Sequence, residues 1–207
     1  MKKIKKKVLI FDLDGVLIDS KINMYKSWKV VQQKHSLEKI PFSKYFRHIG
    51  RPFKDILKIL GVNKKFNEIK ITYKKASLKN QKYIKFYSNA IRTLEKLKKN
   101  NFYLCILTSK DLSRTKKFLG SNINCFSIVL CDDNKTKGKP HPDKINAIIK
   151  NLKVNKKDCV YIGDTHVDYL TAKNSKIDFI FSEWGYGKNY NYKYKCKRIS
   201  DLEKIIN

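Results

Sequence analysis

Acidic residues are what this chain lacks most. Only 18 of its 207 residues are Asp or Glu, against 47 Lys or Arg, a formal charge of +29. Arginine is scarcer still, with 5 residues beside 42 lysines. That scarcity argues against a dedicated nucleic-acid face, which draws on the planar guanidinium fork for phosphates and base edges. The lysines are spread from Lys2 to Lys204, so the charge reads as a solvated surface that governs solubility and nonspecific attraction. Long apolar runs are missing too: nothing approaches the ~20 residues that span a bilayer. The basic start, 1–7, leads into only four apolar residues, Val8 to Phe11, before Asp12, short of the ~7–15 that a secretory signal requires. The five cysteines form no CxxC pair, which excludes a disulfide framework and the common zinc spacings. Cys105 and Cys159 sit inside apolar runs and read as small buried thiols. A reducing cytoplasm is the expected setting, with no membrane partner. With 8 glycines and 4 prolines there is no flexible linker, and no internal repeat is visible.

What is present is a core. Hydrophobic residues make up 42% and aromatics 12%, enough to exclude a disordered chain. Short β-branched or apolar runs at Val8–Phe11, Phe102–Leu107, Ile128–Cys131, Val160–Ile162 and Ile177–Phe181 read as strands. Helical patterns near Ser88–Lys99, Asp111–Leu119, Pro142–Lys150 and Val167–Ser175 alternate with them. That alternation implies an α/β fold with a parallel, Rossmann-like sheet covered on both faces. From about Ser20 to Tyr87 no strand is expected. Met24, Trp28 and Val31, then Phe53, Ile56, Leu57 and Leu60, follow helical spacing. The expected division is a core of residues 1–19 and 88–207 and an inserted helical cap of 20–87. The Lys/Tyr/Asn-rich stretch 188–198 reads as a loosely ordered loop.

Four polar motifs fall at strand ends or just ahead of helices. Phe11-Asp12-Leu13-Asp14-Gly15 puts two carboxylates where ligands enter the crevice of an α/β sheet. One carboxylate can attack phosphorus and hold Mg²⁺, and the other can serve as general acid and base. Leu107-Thr108-Ser109-Lys110 offers a hydroxyl and backbone N–H groups for a phosphate at the expected start of a helix. Gly138-Lys139-Pro140-His141-Pro142 frames one lysine between prolines, where it can offset transferring negative charge. Tyr161-Ile162-Gly163-Asp164 ends a strand in a carboxylate, and Asp168, one helical turn later, can orient Lys139 or a metal-bound water. His141 reads as solvent-facing. His166 lacks a second histidine at ligand spacing and is discounted as a metal ligand.

In order and spacing these motifs resemble the haloacid dehalogenase superfamily of aspartate-nucleophile phosphohydrolases. The likeness is greatest to the phosphoglycolate-phosphatase-like branch, with a helical cap between the first and second motifs. The resemblance implies Asp12 as nucleophile, Asp14 as general acid/base and as Mg²⁺ ligand through its backbone carbonyl, and Thr108 on the phosphoryl oxygens. It implies Lys139 as charge balance, Asp164 as a direct Mg²⁺ ligand and Asp168 as its support. Asp14 also separates branches, since an alkoxide leaving group must be protonated and carbon–halogen cleavage needs no such acid.

Ser109 and Lys110 are further candidate substrate contacts. So are Arg47 and Arg51 in Phe46-Arg47-His48-Ile49-Gly50-Arg51-Pro52, two of the five arginines within seven residues, which could pair with a second anionic group of the substrate. The expected activity is Mg²⁺-dependent hydrolysis of a small phosphorylated metabolite, phosphoglycolate or a sugar phosphate, by a monomer or homodimer. A phosphosugar mutase of the β-phosphoglucomutase type shares all four motifs, and a basic nucleic-acid-binding protein on an inactive hydrolase scaffold is the reading from another class.

Overall fold

The computed structural model describes residues 4–133 and 135–206, so the first three residues of the basic N-terminus lie outside it. Six parallel strands form one sheet in the order β5-β4-β1-β6-β7-β8. They are β1 (Val8–Phe11), β4 (Tyr103–Asp111), β5 (Ile128–Asp132), β6 (Cys159–Gly163), β7 (Asp178–Ser182) and β8 (Tyr194–Cys196). Strand β1 pairs in register with β4 on one side and β6 on the other, Phe11 facing Ile106 and Ile162. The strand order therefore reverses at β1, and the crevice beyond its carboxyl end is where such sheets bind ligands.

Alternate side chains of the central strands enter opposite layers, as the two-residue period of a strand requires. Leu9, Phe11, Leu104, Ile106, Val160 and Ile162 pack in one apolar cluster. Val8, Ile10, Cys105, Leu107, Cys159 and Tyr161 pack in the other. Helix α5 (Ala90–Lys99) closes the first layer through Leu94 and Leu97, and α7 (Asp143–Leu152) and α8 (His166–Ser175) close the second through Ile145, Ile148 and Ala172. Helix α6 (Leu112–Leu119) follows β4, and α9 (Leu202–Ile205) ends the chain. All five thiols are free, and burial pushes Cys105 up to about 12 and Cys159 to about 11. No described helix is long and apolar enough to cross a membrane.

Between β1 and α5 lie four helices: α1 (Lys21–His35), α2 (Phe42–Phe46), α3 (Phe53–Ile59) and α4 (Phe66–Lys79). They share a third apolar cluster, in which Met24, Trp28 and Val31 meet Phe53, Ile56, Leu57 and Tyr73. Trp28 stacks on Tyr45 with centroids 4.5 Å apart, a contact worth about 1 kcal/mol beyond burial.

Two expectations need correction. Residues 20–87 are not free of strand: β3 (Lys85–Phe86) pairs antiparallel with β2 (Ile18–Asp19), so the chain leaves and rejoins the core through one short ribbon. The stretch 188–198 is not all loop either, because β8 pairs parallel with β7, its Tyr194 half-buried and Cys196 buried. A three-residue edge strand flanked by lysines carries too little apolar signal to separate it from a loop.

Candidate active site

Asp12 follows β1 directly, and its N–H donates to the Ile162 carbonyl at 2.9 Å, which fixes it at the mouth of the sheet. Its carboxylate is buried, with Oδ1 2.7 Å from the Lys139 Nζ. That ammonium also meets Asp168 Oδ1 at 2.8 Å and lies 5.5 Å from the centre of the Tyr161 ring. Desolvation disfavours the Lys139 charge, but the two carboxylates outweigh it and hold the lysine protonated. Burial, with like charge from Asp168 and Asp14, pushes the Asp12 carboxyl up to about 7 against the pull of Lys139.

Asp164 follows β6 directly and is fully buried. Its Oδ2 accepts the Tyr186 N–H at 2.7 Å, whereas Oδ1 has no hydrogen-bond partner. Burial, then Asp168 and Asp12, drive its carboxyl well above the ordinary range. An orphaned buried acceptor costs about 1–3 kcal/mol, and here it stands in a pocket where one ammonium faces three carboxylates. Oxygens of Asp12, Asp164 and Asp168 lie within 4.8 Å of one another. Hard oxygen donors at that spacing with uncompensated negative charge suit a small divalent cation such as Mg²⁺.

Of these three, Asp168 is already spent. Its Oδ1 accepts from Lys139 and from the Tyr161 hydroxyl at 3.1 Å, and its Oδ2 accepts the Thr165 N–H and hydroxyl at 3.0 and 2.6 Å. Four donors fill its acceptor sites, so Asp168 caps α8 and aims Lys139, while Asp12 and Asp164 remain the side chains able to hold the ion. Gly15 keeps that space open. Its φ of +88° favours glycine, and a Cβ there would stand 2.1 Å from Asp164 Oδ2.

The side chain of Asp14 lies outside this carboxylate group. It lines the adjoining cavity, with Oδ1 2.8 Å from Lys110 Nζ and accepting the Ser20 hydroxyl. Thr108 is buried on the same cavity and accepts the Lys110 N–H at 3.1 Å. Expectation and geometry part at the next two residues. Strand β4 continues to Asp111 through a register shift instead of ending at Leu107, so Thr108 precedes the helix by four residues. Ser109 and Lys110 both line the cavity, but the Ser109 hydroxyl donates to the Gly50 carbonyl at 2.7 Å and the Lys110 ammonium pairs with Asp14. Their polar groups tie the helices to the core and balance a carboxylate. Of the two loop arginines, Arg51 lines the cavity whereas Arg47 is exposed and outside its lining. His141 is exposed, and His166 sits against Tyr169 and Tyr190.

Two groups were not anticipated. The loop Trp184-Gly185-Tyr186-Gly187 wraps Asp164: besides the Tyr186 N–H, a Cβ at Gly187 would overlap the Asp164 carbonyl oxygen at 1.7 Å. Two glycines flanking one residue, in a chain with eight, were the available signal. Arg114 on α6 also lines the cavity, facing Tyr45 and Tyr73 of the helical segment, and its signal was rarity alone.

The cavity measures about 60 Å³, room for a handful of groups at ~10–15 Å³ per water. Several known proteins are similar to this chain over most of its length. The chain is 27% identical over 97% of its length, and 96% of the relative's, to the phosphoglycolate phosphatase of Aquifex aeolicus. It is 30% identical over 90% of its length to the phosphoglycolate phosphatase of Colwellia psychrerythraea, covering 88% of that protein. The pyrophosphatase PpaX of Oceanobacillus iheyensis shares 22% identity over 97% of the chain and 96% of its own length. Among solved structures, a hydrolase from Pseudomonas syringae superposes with a TM-score of 0.84 at 25% identity, over 96% of this chain and 97% of that one. With the haloacid dehalogenase-like hydrolase profile matching residues 9–182, the chain belongs to that family.

Proposed function

We propose that this protein is a Mg²⁺-dependent phosphatase of small phosphorylated metabolites that works through a phosphorylated Asp12. The observation that carries the reading is the pairing of two buried carboxylates with opposite fates. Asp12 is oriented by Lys139, while Asp164 keeps one oxygen without any protein donor.

Asp12 and Asp164, joined by the Asp14 carbonyl that the family resemblance supplies, would hold Mg²⁺. Bound there, the ion supplies positive charge to offset the phosphoryl oxygens and the carboxylates. The chain's own residues do the rest. An oxygen of Asp12 attacks phosphorus, a new O–P bond forms, and the ester O–P bond breaks in line. The leaving alkoxide takes a proton from Asp14, which lines the same cavity. Asp14 then removes a proton from the water that attacks the acyl phosphate, releasing phosphate and restoring the Asp12 carboxylate. Thr108 offers its hydroxyl to the phosphoryl oxygens, and Lys139 stays charged through both steps. The helical segment closes over this chemistry as a cap, tied down by Ser109 on Gly50 and by the 2.7 Å ion pair of Lys70 with Asp132.

Relatives named phosphoglycolate phosphatase and pyrophosphatase support small substrates. Unpaired cysteines support a reducing, cytoplasmic setting. The test is phosphate release from an aryl phosphate. Wild-type protein is expected to turn over only with Mg²⁺ and to lose activity to a chelator. Asp12→Asn is expected to fall at least about 1,000-fold, the scale of losing a nucleophile. Unchanged hydrolysis by Asp12→Asn would remove the mechanism.

A further inference from the structure

We infer that Arg114, together with the Tyr45–Tyr73 hydroxyl pair, binds a second anionic group on the substrate's leaving group. The substrate class is thus a phosphomonoester or phosphoanhydride carrying a carboxylate or another phosphate a few atoms from the scissile oxygen. This rests on the phosphatase reading and adds to it the residue that sets specificity, one on the core sheet's own helix α6 and not on the arginine-bearing loop.

Arg114 is one of five arginines in the chain, and its side chain is only 13% exposed. Its partner is Asp111, the residue that caps α6 by accepting the Arg114 N–H at 3.1 Å. The side-chain contact between them runs through Nε alone, so the pair is not the two-pronged fork that would occupy a guanidinium's edge. The terminal amino groups stay out of it. One reaches Ser77 Oγ at a long 3.4 Å, and the guanidinium carbon lies 5.4 Å from the centre of the Tyr73 ring. A guanidinium has five N–H donors and no acceptor, and these partners do not use them all.

The neighbouring wall is also short of acceptors. Tyr45 donates its hydroxyl proton to the Tyr73 oxygen at 3.0 Å, and burial pushes the Tyr73 hydroxyl up against the pull of the nearby Arg114 charge. The Tyr73 oxygen therefore receives that donor and keeps its own proton to give. Beside it, Met24, Phe53 and Ile56 line the cavity with hydrocarbon. Among the cavity's carboxylates, Asp14 is committed to Lys110 and Ser20, and Asp12 to Lys139. A half-satisfied cation and a hydroxyl with a free proton, set in an apolar wall of the cavity that Asp12 also lines, call for an oxygen-rich anion. Arg51 on the same cavity adds charge of the same sign.

The experiment is a ratio taken on one preparation, so that a partly folded variant still reads correctly. kcat/KM is measured for phosphoglycolate, for pyrophosphate and for 2-hydroxyethyl phosphate, which replaces the carboxylate by a neutral hydroxymethyl group. Wild-type protein is expected to prefer at least one of the two anionic compounds over the neutral one by about 100-fold, the worth of a charged hydrogen-bonded contact. The arm showing the preference identifies the second anion as carboxylate or phosphate. Arg114→Gln is expected to collapse that ratio toward unity. Arg114→Lys, which keeps the charge and loses the fork, should hold an intermediate ratio, whereas a merely structural residue would lower all rates alike. Arg47→Gln should leave the ratio at the wild-type value. A wild-type protein that hydrolyses the neutral compound as well as the anionic ones overturns the inference while the phosphatase reading stands, and so does a ratio indifferent to Arg114. A protein that hydrolyses none of the three in Mg²⁺ but releases phosphate from an aryl phosphate overturns this inference alone, and one that hydrolyses neither the three nor the aryl phosphate overturns both.

Discussion

Asp164 is the side chain on which the proposed metal chemistry turns, because its buried carboxylate lacks a donor on one oxygen. A buried carboxylate oxygen without a donor, beside two further carboxylates, is a standing destabilisation that a divalent cation would remove. Binding stabilises the folded state by mass action, about 2.7 kcal/mol when the free ion is a hundred times its Kd. For a chain of this length that corresponds to a rise in melting temperature of about 5–10 °C. Asp164→Asn should shrink the rise to about a quarter or less, and without metal it should melt at or above the wild-type temperature, since it deletes a charge the fold does not pair. Thermal melts of both proteins with Mg²⁺ and with chelator decide the matter. Equal Mg²⁺ shifts would show that Asp164 is not a ligand.

At this scale much of the site was legible. Asp12, Thr108 and Asp164 each follow an apolar β-branched run directly, and Lys139 stands in a proline frame, so position along the chain implied position at the sheet's mouth. What was not legible were partnerships. Among the described residues four lysines, Lys6, Lys110, Lys139 and Lys144, are buried, yet 42 lysines look alike as letters, and only Lys139 has neighbours that distinguish it. Ser109 and Lys110 were assigned to substrate because they follow Thr108. The unforeseen continuation of β4 sends the one to Gly50 and the other to Asp14. Tyr45 and Tyr73 carry no signal as letters, because their hydroxyls meet only once α2 and α4 pack together.

Among the elements, α6 is the one whose ends carry both stability and specificity. Asp111 caps it and pairs with the Nε edge of Arg114. Burial raises the Asp111 carboxyl, but the charge of Arg114, the Ser113 hydroxyl and the Arg114 N–H groups outweigh that and hold it below the ordinary carboxylate range. A carboxyl depressed on folding contributes stability that is complete above its unfolded value of about 3.9 and is lost as pH falls through that value toward the folded one. Asp111→Asn isolates this contribution, since Asn caps a helix about as well as Asp. The variant should melt below wild type at neutral pH by the equivalent of about 1–3 kcal/mol, the range for a charged hydrogen bond. The gap should narrow below about pH 4 as the wild-type carboxylate is protonated. A gap that persists unchanged at about pH 3 would place the loss in the cap and not in the charge. The elements themselves were read well where apolar period and length agree, as in β1, β6 and α5. They were misread where a strand is two or three residues long, because β3 and β8 owe their existence to partners distant in sequence.

For the molecule as a whole, the question is what a formal charge of +29 does to an enzyme whose proposed substrates are anions. Almost all the lysines lie outside the buried set, spread from one end of the chain to the other. Such a field has no focus, yet its sign is everywhere attractive to a dianion, and attraction at a distance acts on encounter and not on the chemical step. The charges that act on the reacting phosphoryl group, those of Lys139 and its carboxylates, are buried within a few ångströms of one another and are screened far less than surface charges. The two scales of electrostatics therefore separate under salt. Raising ionic strength from about 0.01 to about 0.5 M, with Mg²⁺ saturating throughout, shortens the screening length from about 30 Å to a few ångströms. It should lower kcat/KM for a dianionic substrate by about 10-fold, the lower end of electrostatic steering, while kcat moves less than about 2-fold because the inner charges are screened less. The same titration with 2-hydroxyethyl phosphate, which carries less charge than phosphoglycolate, should give a shallower slope. Were kcat to fall in step with kcat/KM, the surface lysines would be acting on the bound state, and the assignment of catalytic charge to Lys139 alone would have to be widened to its neighbours.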